Sequence, residues 1–192
     1  SVVAISGACC ALFKVKRLMD RGDESVHVRE MPEHLRDALI NQELPEYGDT
    51  PWVTQKPLDE CRVALISTAG LHRREDPPFT PGAGDYRIIP DTYDMGELTM
   101  SHVSTNFDRS GFYQDVNTSF PIDRLRELAE EGVIGSVTGR HFSFMGATPP
   151  MVMEPIARDL AKVLKADNVD AVALVPVCPP CTLAVGGLAH SL

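Results

Sequence analysis

Apolar positions in this chain follow two rhythms. Val63-Ala64-Leu65-Ile66 and Ala171-Val172-Ala173-Leu174-Val175-Pro176-Val177 are apolar at every position, the pattern of strands buried on both faces. Tyr86-Arg87-Ile88-Ile89-Pro90 predicts another strand, Leu98-Thr99-Met100-Ser101-His102-Val103 a third element, and Arg140-His141-Phe142-Ser143-Phe144-Met145 a strand beyond it. Elsewhere the spacing turns helical. Residues 121–131 repeat Leu125, Leu128 and Ala129 along one face, with Pro121 suited to a first helical position and Gly132 to a left-handed stop. Residues 151–166 align Ile156, Leu160, Val163 and Leu164, with Asn168 as the expected C-cap, and residues 31–40 predict a short amphipathic helix. Strands alternating with helices imply right-handed crossovers. The expected fold class is therefore α/β, three-layer, with a mostly parallel sheet, flanking helices and a CxxC motif at the C-terminal end of the last strand.

This pattern divides the chain. Residues 61–192 read as the α/β domain, residues 31–60 as an N-terminal helix and a polar arm pinned by Trp52, and residues 1–30 as an extension. The apolar start of that extension, with Ser6-Gly7-Ala8-Cys9, admits a secretory or lipoprotein signal. Lys14, Lys16 and Arg17 follow the apolar run instead of preceding it, which is the wrong side for a signal. Residues 72–85 and 104–118 form long loops, which in a compact domain are often functional.

Composition narrows the function classes. A length of 192 residues suits one domain, with 43% hydrophobic and 23% charged residues. The net charge of -9 and the lack of a basic stripe argue against nucleic acid as a partner. No apolar run has the length of a membrane span. Five cysteines are too few for a disulfide scaffold, which points to a reducing compartment, the cytoplasm, with Cys61 as a packed core thiol. An acidic protein with a hydrophobic sheet is also compatible with a homo-oligomer.

The candidate chemistry centres on Cys178-Pro179-Pro180-Cys181, set between the last apolar run and a helix start at Thr182-Leu183-Ala184-Val185. Amides at a helix N-terminus carry partial positive charge and favour a thiolate, the reactive form of cysteine. The two prolines remove amide donors, leaving those of Cys181, Thr182 and Leu183. Three readings stand at this point: a redox-active or nucleophilic pair, half of a zinc site, or two inert core cysteines.

Other residues are placed to join a pocket. His102 suits a general base or proton donor, with Asp108 or Asp115 to orient it and raise its pKa towards neutrality. Asp85, Asp108, Asp115, Asn117 and His141 are candidates for substrate binding; loop-closing turns are the competing reading of the acidic residues. His72, Arg73 and Arg74 could bind a carboxylate or form a solvated loop. Zinc, as the alternative, would take Cys178, Cys181, His102 and one of His141 or Asp108. No GxGxxG, P-loop, GxSxG or HExxH motif is present.

Several segments in order resemble one family. Ser67-Thr68-Ala69-Gly70-Leu71, Gly84-Asp85-Tyr86-Arg87-Ile88-Ile89-Pro90, Leu98-Thr99-Met100-Ser101-His102, Asp115-Val116-Asn117, Phe120-Pro121-Ile122-Asp123-Arg124-Leu125, Gly132-Val133-Ile134-Gly135 and Val175-Pro176-Val177-Cys178-Pro179-Pro180-Cys181 resemble the selenoprotein B family of glycine, sarcosine, betaine and D-proline reductases. The resemblance covers residues 61–192. It implies a dithiol-dependent reductase subunit that cleaves a C–N bond of an amino acid or related amine. Cys178 would be the nucleophile and Cys181 the resolving thiol, cycling between dithiol and disulfide. The implied partners are a small-molecule substrate, a thiol-reducing system and a second reductase subunit carrying a pyruvoyl group, since no pyruvoyl-forming segment is evident here. Where the family uses selenocysteine, this chain has cysteine at both positions. A zinc-binding protein and a non-catalytic interaction subunit are the alternatives.

Overall fold

The computed structural model describes residues 3–6, 32–41, 43, 56–104 and 109–191. Asp108, Asn106 and the Trp52 arm lie outside the described residues. The elements in chain order are β1 (Val3–Ser6), α1 (Glu33–Ile40), β2 (Arg62–Ser67), β3 (Leu71–His72), β4 (Tyr86–Pro90), β5 (Thr99–Met100), α2 (Ser110–Gln114), α3 (Ile122–Glu130), β6 (Ser136–Val137), β7 (Arg140–Phe144), α4 (Pro150–Ala166), β8 (Ala171–Val175) and α5 (Pro179–Ser191).

One mixed sheet runs β1-β8-β2-β7-β4, with β6 also paired to β2. All its pairings are parallel except β4 with β7. The two fully apolar runs are neighbours at its centre, Val63 to Ser67 against Ala171 to Val175. Period-two alternation sends their side chains to opposite faces. Ala64, Ile66, Val172 and Leu174 pack under α4 and α5, against Met153, Leu160, Leu164, Val185 and Leu188. Val63, Leu65 and Ala171 face Ile122 and Leu125 of α3 together with Phe120 and Leu98. This is the three-layer arrangement, with helices over both faces. Val3–Ser6, in the segment read as an extension, pairs with β8 at the sheet's edge.

Some boundaries differ from expectation. The third element is only the two-residue β5, paired antiparallel with β3 in a small separate ribbon. The Ser101 amide donates to Gly70 O at 2.9 Å, one position past those strands and in the same register. Pro121 is the N-cap of α3, not its first residue. Gly132 does stop that helix at φ 71°. Asp167 caps α4 and Asn168 follows it in the left-handed region at φ 56°.

A dithiol and a histidine at the sheet's C-terminal edge

The sheet delivers the cysteine pair to one place. Beyond Val175 the chain reads Pro176-Val177-Cys178, and Pro176 has no N–H to continue a ladder. Thr68, one residue past β2, takes over. Its amide donates to Val175 O at 3.1 Å and its hydroxyl to the same oxygen at 3.3 Å, while Val177 N–H donates to Thr68 Oγ1 at 3.3 Å. The buried hydroxyl thus grips the chain on both sides of Pro176. Then α5 begins, and Thr182 N–H makes its first turn on Cys178 O at 3.2 Å. That commits the Thr182 amide to the helix. Pro179 and Pro180 have none, so Cys181 N–H is the first amide at the positive end of α5.

The two sulfurs lie at disulfide-bonding distance, with Cα atoms 5.0 Å apart. His102 Nε2 is 3.3 Å from Cys181 Sγ and 3.8 Å from Cys178 Sγ. Two glycines make this approach possible. Gly70 turns with φ 64°, and a Cβ there would sit 2.8 Å from His102 N. Gly146 turns with φ 79°, and a Cβ there would sit 2.8 Å from Cys181 Sγ. On its far side the imidazole is held by the Ser104 amide, which donates to Nδ1 at 3.1 Å. Arg109 Nη2 donates to His102 O and Ser104 O, at 2.5 and 3.0 Å, and so clamps that turn. All three side chains are buried: Cys178 is 6% exposed, Cys181 0% and His102 5%.

The other sequence candidates among the described residues are engaged elsewhere. Asp85 pairs with Arg87 at 2.5 Å. Asp115 Oδ1 accepts from the Asn117 amide and from Asn117 Nδ2, both at 2.9 Å, and these bonds hold its carboxyl below the usual range. Asn117 then bridges to Asp123, at 2.9 and 3.0 Å, so the two residues close the turn that leads into α3. His141 is inside the core, where its Nδ1 accepts from Leu65 N–H at 3.1 Å. It replaces a ladder acceptor where β2 passes from β6 to β7. Its Nε2 lies 3.5 Å from Asp91 Oδ1. His72 is buried between Arg73 O and Ser101 Oγ, and Arg73 pairs with Asp76. Thr68, Ser104 and Arg109 were not apparent as site residues, since their contacts join segments far apart in the chain or run through backbone atoms.

Zinc was the competing occupant. His102, Cys178 and Cys181 offer ligand atoms within 4.8 Å of one another, and no fourth His, Cys, Asp or Glu joins that group among the described residues. A metal-ligating imidazole donates a hydrogen bond from its other nitrogen, whereas His102 Nδ1 accepts one from Ser104. The three residues are ligand types that zinc accepts, but the hydrogen bonding of this ring is not that of a zinc-bound imidazole.

The glycine/sarcosine/betaine reductase selenoprotein B family model matches residues 45–177. The chain belongs to this family. Among its selenoprotein B relatives, D-proline reductase subunit gamma of Acetoanaerobium sticklandii is 35% identical over 123 residues, covering 62% of this chain and 50% of the relative. Glycine reductase complex component B subunit gamma of Symbiobacterium thermophilum is 28% identical over 133 residues, 66% of this chain and 31% of the relative. Sarcosine reductase complex component B subunit beta of Peptoclostridium acidaminophilum is 26% identical over 172 residues, 81% and 39%. The chain therefore spans half or less of the length of these relatives. No solved structure matches it. Thr68, Gly70, His102 and Gly146 fall inside the family match, which ends one residue before Cys178. No helix among the described residues is long and apolar enough to cross a membrane.

The buried histidines predict acid sensitivity. Burial pushes His102 down to about 4, with the charge of Arg109 adding to it; burial does the same to His141, to about 4, against the opposing pull of Asp91. Both rings are then neutral in the fold, while the unfolded chain takes up protons below about pH 6.5. Stability is fully present above that pH and falls as pH drops towards 4. The slope is about 1.4 kcal/mol per pH unit for each histidine. Urea unfolding across this window checks it, and a flat profile would contradict neutral burial.

Proposed function

We propose that this chain is the thiol-bearing part of a reductase that cleaves a C–N bond in an amino acid or related amine. The observation that carries the reading is the convergence of Cys178, Cys181 and His102 at the sheet's C-terminal edge, where open α/β sheets place their sites. The names of the relatives supply the substrate class.

In this reading Cys178, as thiolate, attacks the carbon bearing the amine. A C–S bond forms, and the C–N bond breaks with its electron pair going to nitrogen, which takes a proton. Cys181 then attacks Cys178 Sγ. The C–S bond breaks with its pair going to carbon, which takes the second proton, and the pair is left oxidised as a disulfide. The substrate has gained two electrons and two protons, and the dithiol has lost them. An external dithiol restores the pair. The exposure of the two cysteines supports this order, since Cys178 retains 6% and Cys181 none. A carbonyl on a partner subunit would supply electron withdrawal to the substrate amine. The positive end of α5 favours the thiolate at Cys178.

Differential alkylation with mass spectrometry across a glutathione or dithiothreitol series tests this, with zinc assayed on the same sample. A reversible Cys178–Cys181 disulfide is expected. A pair that resists oxidation and retains one zinc per chain would overturn the reading.

A further inference from the structure

The position of the His102 proton is set by a group other than the sulfurs. A backbone amide can only donate, and that of Ser104 meets Nδ1 at 3.1 Å. Nδ1 must therefore present its lone pair. A neutral imidazole has one N–H and one lone pair, so its proton is on Nε2, the atom facing Cys181 Sγ at 3.3 Å and Cys178 Sγ at 3.8 Å. We propose that His102 is a locked hydrogen-bond donor to the thiolate of the reduced pair, not the acid–base group expected of a histidine beside a thiol. This role rests on the dithiol reading above.

The lock has three parts. Arg109 Nη2 ties the carbonyls of His102 and Ser104 together, at 2.5 and 3.0 Å, which fixes the turn that brings the Ser104 amide back over the ring. Gly70 lets the chain pass against His102 N, where a Cβ would stand at 2.8 Å. Burial excludes the water that would solvate an imidazolium, with His102 at 5% exposure. Protonating Nδ1 would oppose two N–H groups, and Nε2 already carries its hydrogen. The ring cannot accept a proton from either thiol without breaking the Ser104 bond.

This arrangement separates two duties. Reduction of the disulfide takes two electrons and one proton to give a thiol and a thiolate, and the Nε2–H stabilises the thiolate as it appears. Of the two protons that reach substrate carbon and nitrogen, one is the thiol proton of Cys181 and the other comes from solvent; neither comes from the ring. Stabilising the reduced form makes a disulfide more oxidising. Ser104 and Arg109 act through His102 as positioning residues.

The test begins with the full chain labelled with ¹⁵N at histidine, reduced with dithiothreitol and followed by ¹H–¹⁵N correlation from about pH 6 to about pH 8. The signal lost in His102→Gln identifies the ring. It is expected to be the neutral Nε2–H form throughout. His102→Gln retains an N–H donor and cannot titrate. Its disulfide–dithiol equilibrium with glutathione should stay within about threefold of wild type, whereas His102→Ala should shift towards the disulfide by about ten- to hundredfold. An Nδ1–H or doubly protonated ring, or a glutamine variant as impaired as alanine, overturns the donor role while the pair still cycles. A wild-type pair that never forms a disulfide overturns the dithiol reading, and this role with it.

Discussion

Cys181→Ser should turn a reversible site into a one-way trap. Treated in the reduced form with Ellman's reagent, the native pair is expected to release two equivalents of thionitrobenzoate and finish as an internal disulfide. The first equivalent comes from attack by Cys178, and the second from Cys181 displacing the label just placed on its neighbour. With Cα atoms 5.0 Å apart, that second step is intramolecular and fast. The serine variant should release one equivalent and keep the label on Cys178. Cys178→Ser should react slowly, because the remaining Cys181 has no exposed surface. Cys61 stays out of the count, since it is buried and donates to Pro57 O at 3.3 Å, and Cys9 and Cys10 are changed to serine in every protein compared so that the label reads the pair alone. If the chain works in the proposed reductase, either serine variant should lower its turnover by on the order of 10⁴-fold or more, since losing one member of a unit that acts together removes most of its effect. A Cys178→Ser variant that labels as fast as wild type would reverse the assigned order.

What could be read from the chain alone follows from how local its causes are. The central strands were legible because a continuous apolar run has one stable place, the middle of a sheet covered on both faces, and Val63 to Ile66 and Ala171 to Leu174 occupy it. The helix stop at Gly132 was legible because the left-handed turn needs no distant partner. The place of the CxxC pair was legible, because it lies between a strand and a helix start. The company it keeps was not. His102 meets a sulfur 79 positions away, through a ribbon of two-residue strands too short to leave a periodic pattern. Histidine also has two uses that look alike in sequence. His102 faces the sulfurs, whereas His141 serves as a backbone acceptor for Leu65, a need created by the break between β6 and β7 that no sequence pattern records. The acidic loop shows the same limit. Asp115 and Asn117 carry the residue types of a binding site, and their hydrogen bonds close a local turn.

Gly146→Ala is expected to be strongly destabilising. Two costs coincide there. The backbone is at φ 79°, which costs an L-residue roughly 1–2 kcal/mol. The added Cβ would also lie 2.5 Å from Thr68 Cβ, 2.6 Å from Thr68 O and 2.8 Å from Cys181 Sγ. Relief is hard to find, because Thr68 is tied to both Val175 and Val177 and cannot retreat without releasing the chain that leads to Cys178. Overpacking of this kind adds about 1–3 kcal/mol, so a total near 3 kcal/mol is expected in urea unfolding. Gly132→Ala supplies the control. It has φ 71° with nothing within 4 Å of the added atom, and should show the backbone cost alone. The two variants should differ in chemistry as well as stability, since only Gly146→Ala pushes on the sulfur and should slow disulfide closure. Equal losses of stability in the two variants, with unchanged closure, would mean that the packing of Gly146 against Thr68 and Cys181 is looser than these distances imply.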